Sequence, residues 1–350
     1  ATLYNASQMF LSDNPTLDER LRRSSVIAHE TAHMWFGDYV TMRWFNDVWT
    51  KEVFANYFAA RIVEPLYPTI DHRLSRLKSY TIASLSEDRT AGSTPIRQQL
   101  DNLQNAGLIY GRIIYNKAPV MMKKLVEIMG EEAYREGIQE YVKTYAYNNA
   151  TWDDLITILD RKTEEDLASF SDVWVNEKGM PHISFTRIGQ QLIIRQSDPY
   201  QRGLIWPQSF QITMKGETDK LLEINLNDST LVLNLPEDTY AILPNTDGRG
   251  YGLFIPDANS REWLLKHWQE TKDDTARQSL LMLLYENYQA NLISDQIWMN
   301  TLLSGLSAEK NALTASTICS YLGEPLRKIG NEEIEEKIWE WSEKHPIPSC

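Results

Sequence analysis

Apolar residues recur at three- and four-residue spacing from the start of the chain to about residue 180, the period of helices that bury one face. Leu17 to Phe36 reads as one helix, stopped at Gly37. Asn46 and Asp47 are expected to cap a second, which carries Phe54, Tyr57 and Phe58 and ends near Pro65 and Pro68. Further helices are expected over 71–86, 108–128 and 131–147, and Thr151-Trp152-Asp153-Asp154 is a capping segment for another. After Gly179-Met180-Pro181 the period changes to two. Short alternating runs at 182–187, 191–195, 210–214, 221–226, 230–235 and 240–243 are separated by turn residues such as Gly189, Asp198-Pro199 and Asn227-Asp228. From Ser260 the helical period returns, with Leu281, Leu284, Tyr285 and Tyr288 on one face and Ile334, Ile338 and Trp341 on another. The pattern is α+β and multidomain: helices over 1–180, a small antiparallel β-sandwich over 181–257, and an α-helical domain over 258–350, expected to begin a larger helical array.

Composition narrows the partners rather than the fold. The 350 residues hold 48 Asp+Glu against 35 Lys+Arg, a net charge of −13, which argues against nucleic acid because phosphate binding needs a basic face. With 11 Trp, 17 Tyr and 9 Phe the chain is too aromatic for a solvated tail. Cys319 and Cys350, the two cysteines, provide no disulfide framework. No apolar run reaches the roughly 18–20 residues of a membrane span, so no transmembrane segment is expected.

The chemistry concentrates in His29-Glu30-Thr31-Ala32-His33. Two His four apart on a helix lie about 40° apart around its axis, one turn along it, and can converge on a single ion. Zinc suits neutral imidazole and tolerates three protein ligands with one open position. Glu30, next to the first ligand, is placed to act as general base. The same five-residue string also occurs in ordinary helices, so a third ligand has to be found. Glu52, 18 residues beyond His33, is an acid in an aromatic, apolar stretch, where a buried carboxylate needs a partner. The alternative is an exposed helix residue paired with Lys51 or Arg61.

The His29-Glu30-x-x-His33 motif, its 18-residue interval and Glu52, together with the run Met34 to Asp47, resemble the gluzincin zinc aminopeptidases of the aminopeptidase N and leukotriene A hydrolase type. Tyr115-Asn116-Lys117-Ala118-Pro119 resembles that family's Tyr-x-Lys-Gly-Ala segment. Trp174 with Gly179-Met180-Pro181 is similar to the end of its catalytic domain, and Asn245 to Tyr251 to the end of its β-sandwich. The resemblance implies a thermolysin-like catalytic domain over 1–180. One Zn2+ per chain would be held by His29, His33 and Glu52, with Glu30 as base and Tyr115 donating to the oxyanion; Tyr110 competes locally for that last role. The substrate would be a peptide with a free N-terminus. Two departures from the family pattern bear on pocket shape: Thr50-Lys51-Glu52-Val53 stands where Leu-Asn-Glu-Gly is usual, and Lys117-Ala118-Pro119 where Lys-Gly-Ala is usual.

The family's Gly-x-Met-Glu-Asn loop, which anchors the substrate amine upstream of the zinc motif, is not among these residues. The chain is therefore expected to be a fragment, its catalytic domain truncated of the N-terminal strand lobe. Its function is expected to be that of a zinc aminopeptidase. The alternative is a non-catalytic zinc-binding structural fragment, inactive without its N-terminal domain, and an endopeptidase is a third reading. Compartment, oligomeric state and residue preference are left open by the sequence. His72, His182, His267 and His345 lack ligand spacing and are expected in surface or core. Asp47 is expected as a helix cap, with a hydrogen bond to a ligating His as its other possible role, and Trp35, Trp44 and Trp49 are expected in the core. The acidic runs at 164–166 and 332–336 read as solvated helix faces.

Overall fold

In a computed structural model, which describes Thr2 and residues 4–344, the helix that carries the His pair runs Leu17–Ala32 and starts on a capping box. The Thr16 side chain accepts from the Glu19 N–H, and the Glu19 carboxylate accepts from the Thr16 N–H at 2.7 Å. The helix ends four residues short of Phe36, in a turn that closes at Gly37. Gly37 has φ +132°, a backbone state that disfavours side chains. A Cβ there would stand 3.4 Å from the His33 carbonyl and 3.5 Å from its ring.

The turn feeds strand β1 (Val40–Met42), which pairs in parallel with β2 (Asn148–Ala150). The second helix of the site, Val48–Val63, buries Trp49, Val53, Phe54, Ala55 and Ala59. It packs on the first through the small residues Ala28 and Ala59 beside Val63, which let the two backbones approach. Phe36, just past the first helix, stacks on Phe54 at 4.6 Å and on Phe58 at 5.0 Å between ring centres. Thr151 opens the helix Trp152–Asp160 with the expected capping box, closed by Asp154. Trp49 lies against Trp152, ring centres 4.6 Å apart.

Four expectations are corrected in this region. Asp47 occupies the N-cap position of Val48–Val63 but makes no capping bond, and Asn46 accepts instead from the Leu100 N–H. The Asp47 carboxylate is buried against the Arg97 guanidinium, 2.8 Å away, and the Trp152 N–H, so it touches neither His. Residues 108–128 are not one helix: Ala106–Ile109 stops, the chain straightens at Tyr110, a π-helical turn spans Ile113–Lys117, and Ala118–Met129 follows. Residues 71–86 likewise break into His72–Arg76, a π segment Leu77–Ile82 and Ala83–Asp88. Of the three tryptophans, Trp49 is buried as expected, whereas Trp35 and Trp44 are about half exposed; Trp44 donates to the Leu100 carbonyl instead of filling core.

The chain divides into two compact units: Ala1–His72 with Ser79–Gly179, and Arg73–Lys78 with Met180–Cys350. The second holds the strands β3 (His182–Ile188), β4 (Gln191–Ser197), β5 (Gln208–Lys215), β6 (Lys220–Leu226), β7 (Thr230–Asn234), β8 (Ala241–Leu243) and β9 (Leu253–Ile255). They form a four-stranded sheet ordered β7-β4-β3-β9 and a three-stranded sheet ordered β6-β5-β8. All pairs are antiparallel except β3 with β9, which is parallel, so the strand region departs from the purely antiparallel expectation. Phe185, Phe210 and Phe254 meet between the two sheets. Helices Ala258–His267, Asp274–Gln289, Asp295–Ala308, Ala312–Ile329 and Glu332–Lys344 follow. Tyr285 and Tyr321 stack at 3.8 Å beside Trp298, and Asn287 donates to the Phe254 carbonyl of β9. Cys319 is half-buried, and Cys350 and His345 lie outside the described residues. No helix among the described residues is long and apolar enough to cross a membrane.

Candidate metal centre

His29 and His33 lie one turn apart on their helix, rings edge to face, with their Nε2 atoms 3.1 Å from one another. Glu52, on the partner helix, brings Oε2 to 3.4 Å from the His29 Nε2 and 3.7 Å from the His33 Nε2. Glu52 is buried, unlike the exposed helix residue weighed against a ligand, although Lys51 does lie 3.5 Å from its other oxygen. The remaining ring nitrogens face oxygens: His29 Nδ1 donates to Asn56 Oδ1 at 2.9 Å and His33 Nδ1 to the Phe36 carbonyl at 3.0 Å. With its proton held at Nδ1, each neutral ring turns an electron pair inward from Nε2. Three donors then face one another, an arrangement that calls for a cation between them.

The spacing fits an ion of zinc's size. Tetrahedral ligands about 2.1 Å from a centre stand roughly 3.4 Å apart, and the observed edges of 3.1, 3.4 and 3.7 Å bracket that length. His29, His33 and Glu52 are the one group of three potential metal ligands among the described residues. Protons compete with an ion for the same inward electron pairs, and the acid–base behaviour of Glu52 and His33 shows how strongly those two groups hold them. Burial raises the Glu52 carboxyl, yet the bonds to His29 and His33 outweigh it and hold the group well below the usual carboxylate range. Burial likewise opposes charge on His33, but Glu52 and the Phe36 carbonyl together raise its pKa.

Glu30 sits beside His29, half-buried, with no hydrogen bond or ion pair among the described residues. Tyr115 lies within the π-helical turn Ile113–Lys117, 39% exposed, its ring 6.1 Å from that of Tyr110. Burial, then the charge of Glu52, then Tyr110 push its hydroxyl up to about 12, so the phenol stays protonated at neutral pH. A π turn inserts an extra residue into a helix and re-aims the side chains around it.

Two participants escape sequence reasoning. Asn56, which orients His29, was legible in principle: it lies four residues beyond Glu52 and so shares its helix face. Asp88, which receives Lys117 in the core, has no such signal, since nothing local links the two.

Comparison with known proteins covers the same region. Residues 1–174 match the peptidase family M1 domain. Among curated proteins, "Probable aminopeptidase 2" of Sulfurisphaera tokodaii is 26% identical over 242 residues, covering 69% of this chain and 30% of that protein. Aminopeptidase N of Lactococcus lactis subsp. cremoris is 28% identical over 261 residues, 73% of this chain and 30% of that protein. Tricorn protease-interacting factor F2 of Thermoplasma volcanium is 30% identical over 214 residues, 59% of this chain and 27% of that protein. The match therefore spans less than a third of the length of each of these relatives.

Proposed function

The chain belongs to peptidase family M1, the family of the aminopeptidases N, and from that premise we propose that it is a zinc metallopeptidase that removes N-terminal residues from peptides. The observation that carries this reading is the triangle of His29, His33 and Glu52, whose three inward electron pairs match the coordination edges of zinc. When bound, the ion would supply Lewis acidity, polarising the scissile carbonyl and lowering the pKa of water it holds.

The protein's own groups do the rest. Glu30 takes a proton from the attacking water and returns it to the leaving amine, a role open to a carboxylate with no competing partner among the described residues. Tyr115, protonated at neutral pH, donates a hydrogen bond to the carbonyl oxygen as negative charge develops there. Asn56 and the Phe36 carbonyl keep both imidazoles in the tautomer that leaves Nε2 free. In this proposal residues 1–180 form a thermolysin-like catalytic domain, 181–257 a β-sandwich and 258–350 a helical domain. That division is supported by the change from helix to strand after Trp174 and back to helix at Ala258.

The test is Glu30→Gln, with zinc content and hydrolysis of an aminoacyl chromogenic substrate measured together. Turnover is expected to fall by about 10²–10⁴-fold while zinc stays near one per chain. Wild-type turnover in the variant would remove Glu30 from the mechanism. Equal rates on N-blocked and free peptides would turn the reading to an endopeptidase.

A further inference from the structure

Lys117 and Asp88 form an ion pair with almost no solvent contact: the side chains are 1% and 0% exposed, and Nζ stands 2.7 Å from Oδ2. The same ammonium donates to the Gly179 carbonyl at 2.8 Å. The Gly179 N–H donates to Ser93 Oγ at 3.2 Å, and that hydroxyl donates to the other Asp88 oxygen at 2.6 Å. The four residues thus close a buried ring, Asp88 to Lys117 to Gly179 to Ser93 and back to Asp88. Isolated buried charges are costly, and breaking such a pair leaves the remaining charge unmatched. A ring of this kind has one low-energy arrangement, and whatever is attached to it inherits its position.

Lys117 is the last residue of the π-helical turn Ile113–Lys117, two residues beyond Tyr115. Residues two apart on a helical turn point to nearly opposite sides, which agrees with a buried Lys117 and a 39% exposed Tyr115. The turn is tied on a second side, where Asn116 donates to the Ser79 carbonyl at 2.9 Å. Ile113 and Ile114 are buried, so the segment is held by core on one face while the tyrosine is presented on the other.

We propose that the ring of Asp88, Lys117, Gly179 and Ser93 fixes the π-helical turn so that the Tyr115 hydroxyl is aimed at the His29–His33–Glu52 cluster, making Lys117 and Asp88 positioning residues for that tyrosine. The kinetic part of this inference rests on the oxyanion role assigned above to Tyr115; the geometric part does not. The ring explains why a lysine, rather than a neutral residue, belongs two places after the tyrosine: only a long side chain with several donors can meet both the Asp88 carboxylate and the Gly179 carbonyl from that side of the turn.

The experiment uses the zinc-loaded protein with 13C-labelled tyrosine, the Tyr115 ring signal being assigned by its loss in Tyr115→Phe. Lys117→Met and, because a buried charge is left behind in that variant, also Asp88→Asn and Ser93→Ala are compared with the wild type. The inference expects the Tyr115 signal to shift or broaden in each variant that remains folded, with zinc content unchanged. It also expects kcat to fall by about 100-fold in Lys117→Met with KM little altered, as for a catalytic group displaced by about 1 Å. In a Tyr115→Phe background the same substitution should have no further effect on kcat, because there is no hydroxyl left to misplace. A Tyr115 signal that stays at its wild-type position in the folded variants overturns the proposal. So does a loss of kcat that is undiminished in the Tyr115→Phe background. A displaced signal with unchanged kcat supports the positioning ring and instead refutes the oxyanion role of Tyr115.

Discussion

Asn56 carries more of the candidate metal centre than its neutral side chain suggests. Its oxygen accepts from His29 Nδ1, fixes the tautomer and holds the ring edge to face with His33. Asn56→Ala is expected to weaken zinc binding by about 10–100-fold, measured by competition with a chelator, because the loss of such an orienting partner typically costs that much. Unchanged affinity would mean that the ring is oriented by packing alone. Asp198 presents the opposite case, a carboxylate kept charged by the chain itself. Its side chain is 1% exposed and accepts from the backbone N–H groups of Tyr200 and Arg202 and from the Arg202 guanidinium. Burial raises its pKa, but those bonds outweigh it and the net shift is downward. A folded-state pKa below the unfolded value of about 3.9 means stability that is fully present above that value and lost as pH falls through the folded one. Asp198→Asn should therefore destabilise the protein by about 1.5–3 kcal/mol at pH 7. In denaturant titrations the deficit should shrink below roughly pH 4. A deficit that does not change with pH would show that the charge is immaterial.

At the level of elements, periodicity succeeded where a helix follows one period from end to end. Leu17–Ala32, Val48–Val63 and Glu131–Thr144 all fall within the spans expected of them or within a residue or two, and the Thr151–Asp154 capping box was readable because its chemistry is local. It failed at 71–86 and 108–128, where π turns interrupt the helices. One inserted residue shifts the phase of the apolar pattern without removing it, and Asp88, the buried partner of Lys117 at the end of the second turn, lies too far along the chain for any local window to register. Strands β3–β8 were similarly legible as strands, whereas β9 and the three-residue pair β1 and β2 were not, and the parallel pairing of β3 with β9 joins segments some 70 residues apart that no alternation pattern links. The candidate ligands were legible for the opposite reason: four-residue spacing on one helix is itself geometry. Helix packing yields a prediction of its own. Gly137, inside Glu131–Thr144, faces Leu159 of Trp152–Asp160, and an added Cβ would collide with a methyl of that buried leucine. Alanine gains about 1 kcal/mol of helix propensity over glycine, while overpacking a tight contact costs about 1–3 kcal/mol. Gly137→Ala is expected to lower stability on balance, by up to about 2 kcal/mol in chemical denaturation. A stabilised variant would show that Leu159 moves aside freely.

Across the whole molecule the candidate ligands belong to one unit and the seven strands β3–β9 to the other, so a bound ion should not support the two equally. His29 and His33 lie on Leu17–Ala32 and Glu52 on Val48–Val63. These two helices touch through Ala28, Ala59 and Val63, with Leu21 and Tyr67 packed against them. An ion shared between the two helices would add a further tie across that contact. Mass action sets the size of the effect. Zinc at 100 times its dissociation constant stabilises the binding-competent state by about 2.7 kcal/mol, a factor of about 100 in the population of openings that release it. Hydrogen exchange followed with and without chelator should then show amides of Leu17–Ala32 and Val48–Val63 exchanging up to about 100-fold faster once the metal is removed. Amides of β3, β4 and β5 should keep their protection, because none of those strands contributes a candidate ligand. Faster exchange spread evenly over both units would mean that they unfold as one cooperative body. No change in either helix would remove the ion from the structural role assigned to it, leaving the triangle of His29, His33 and Glu52 to be explained without a metal.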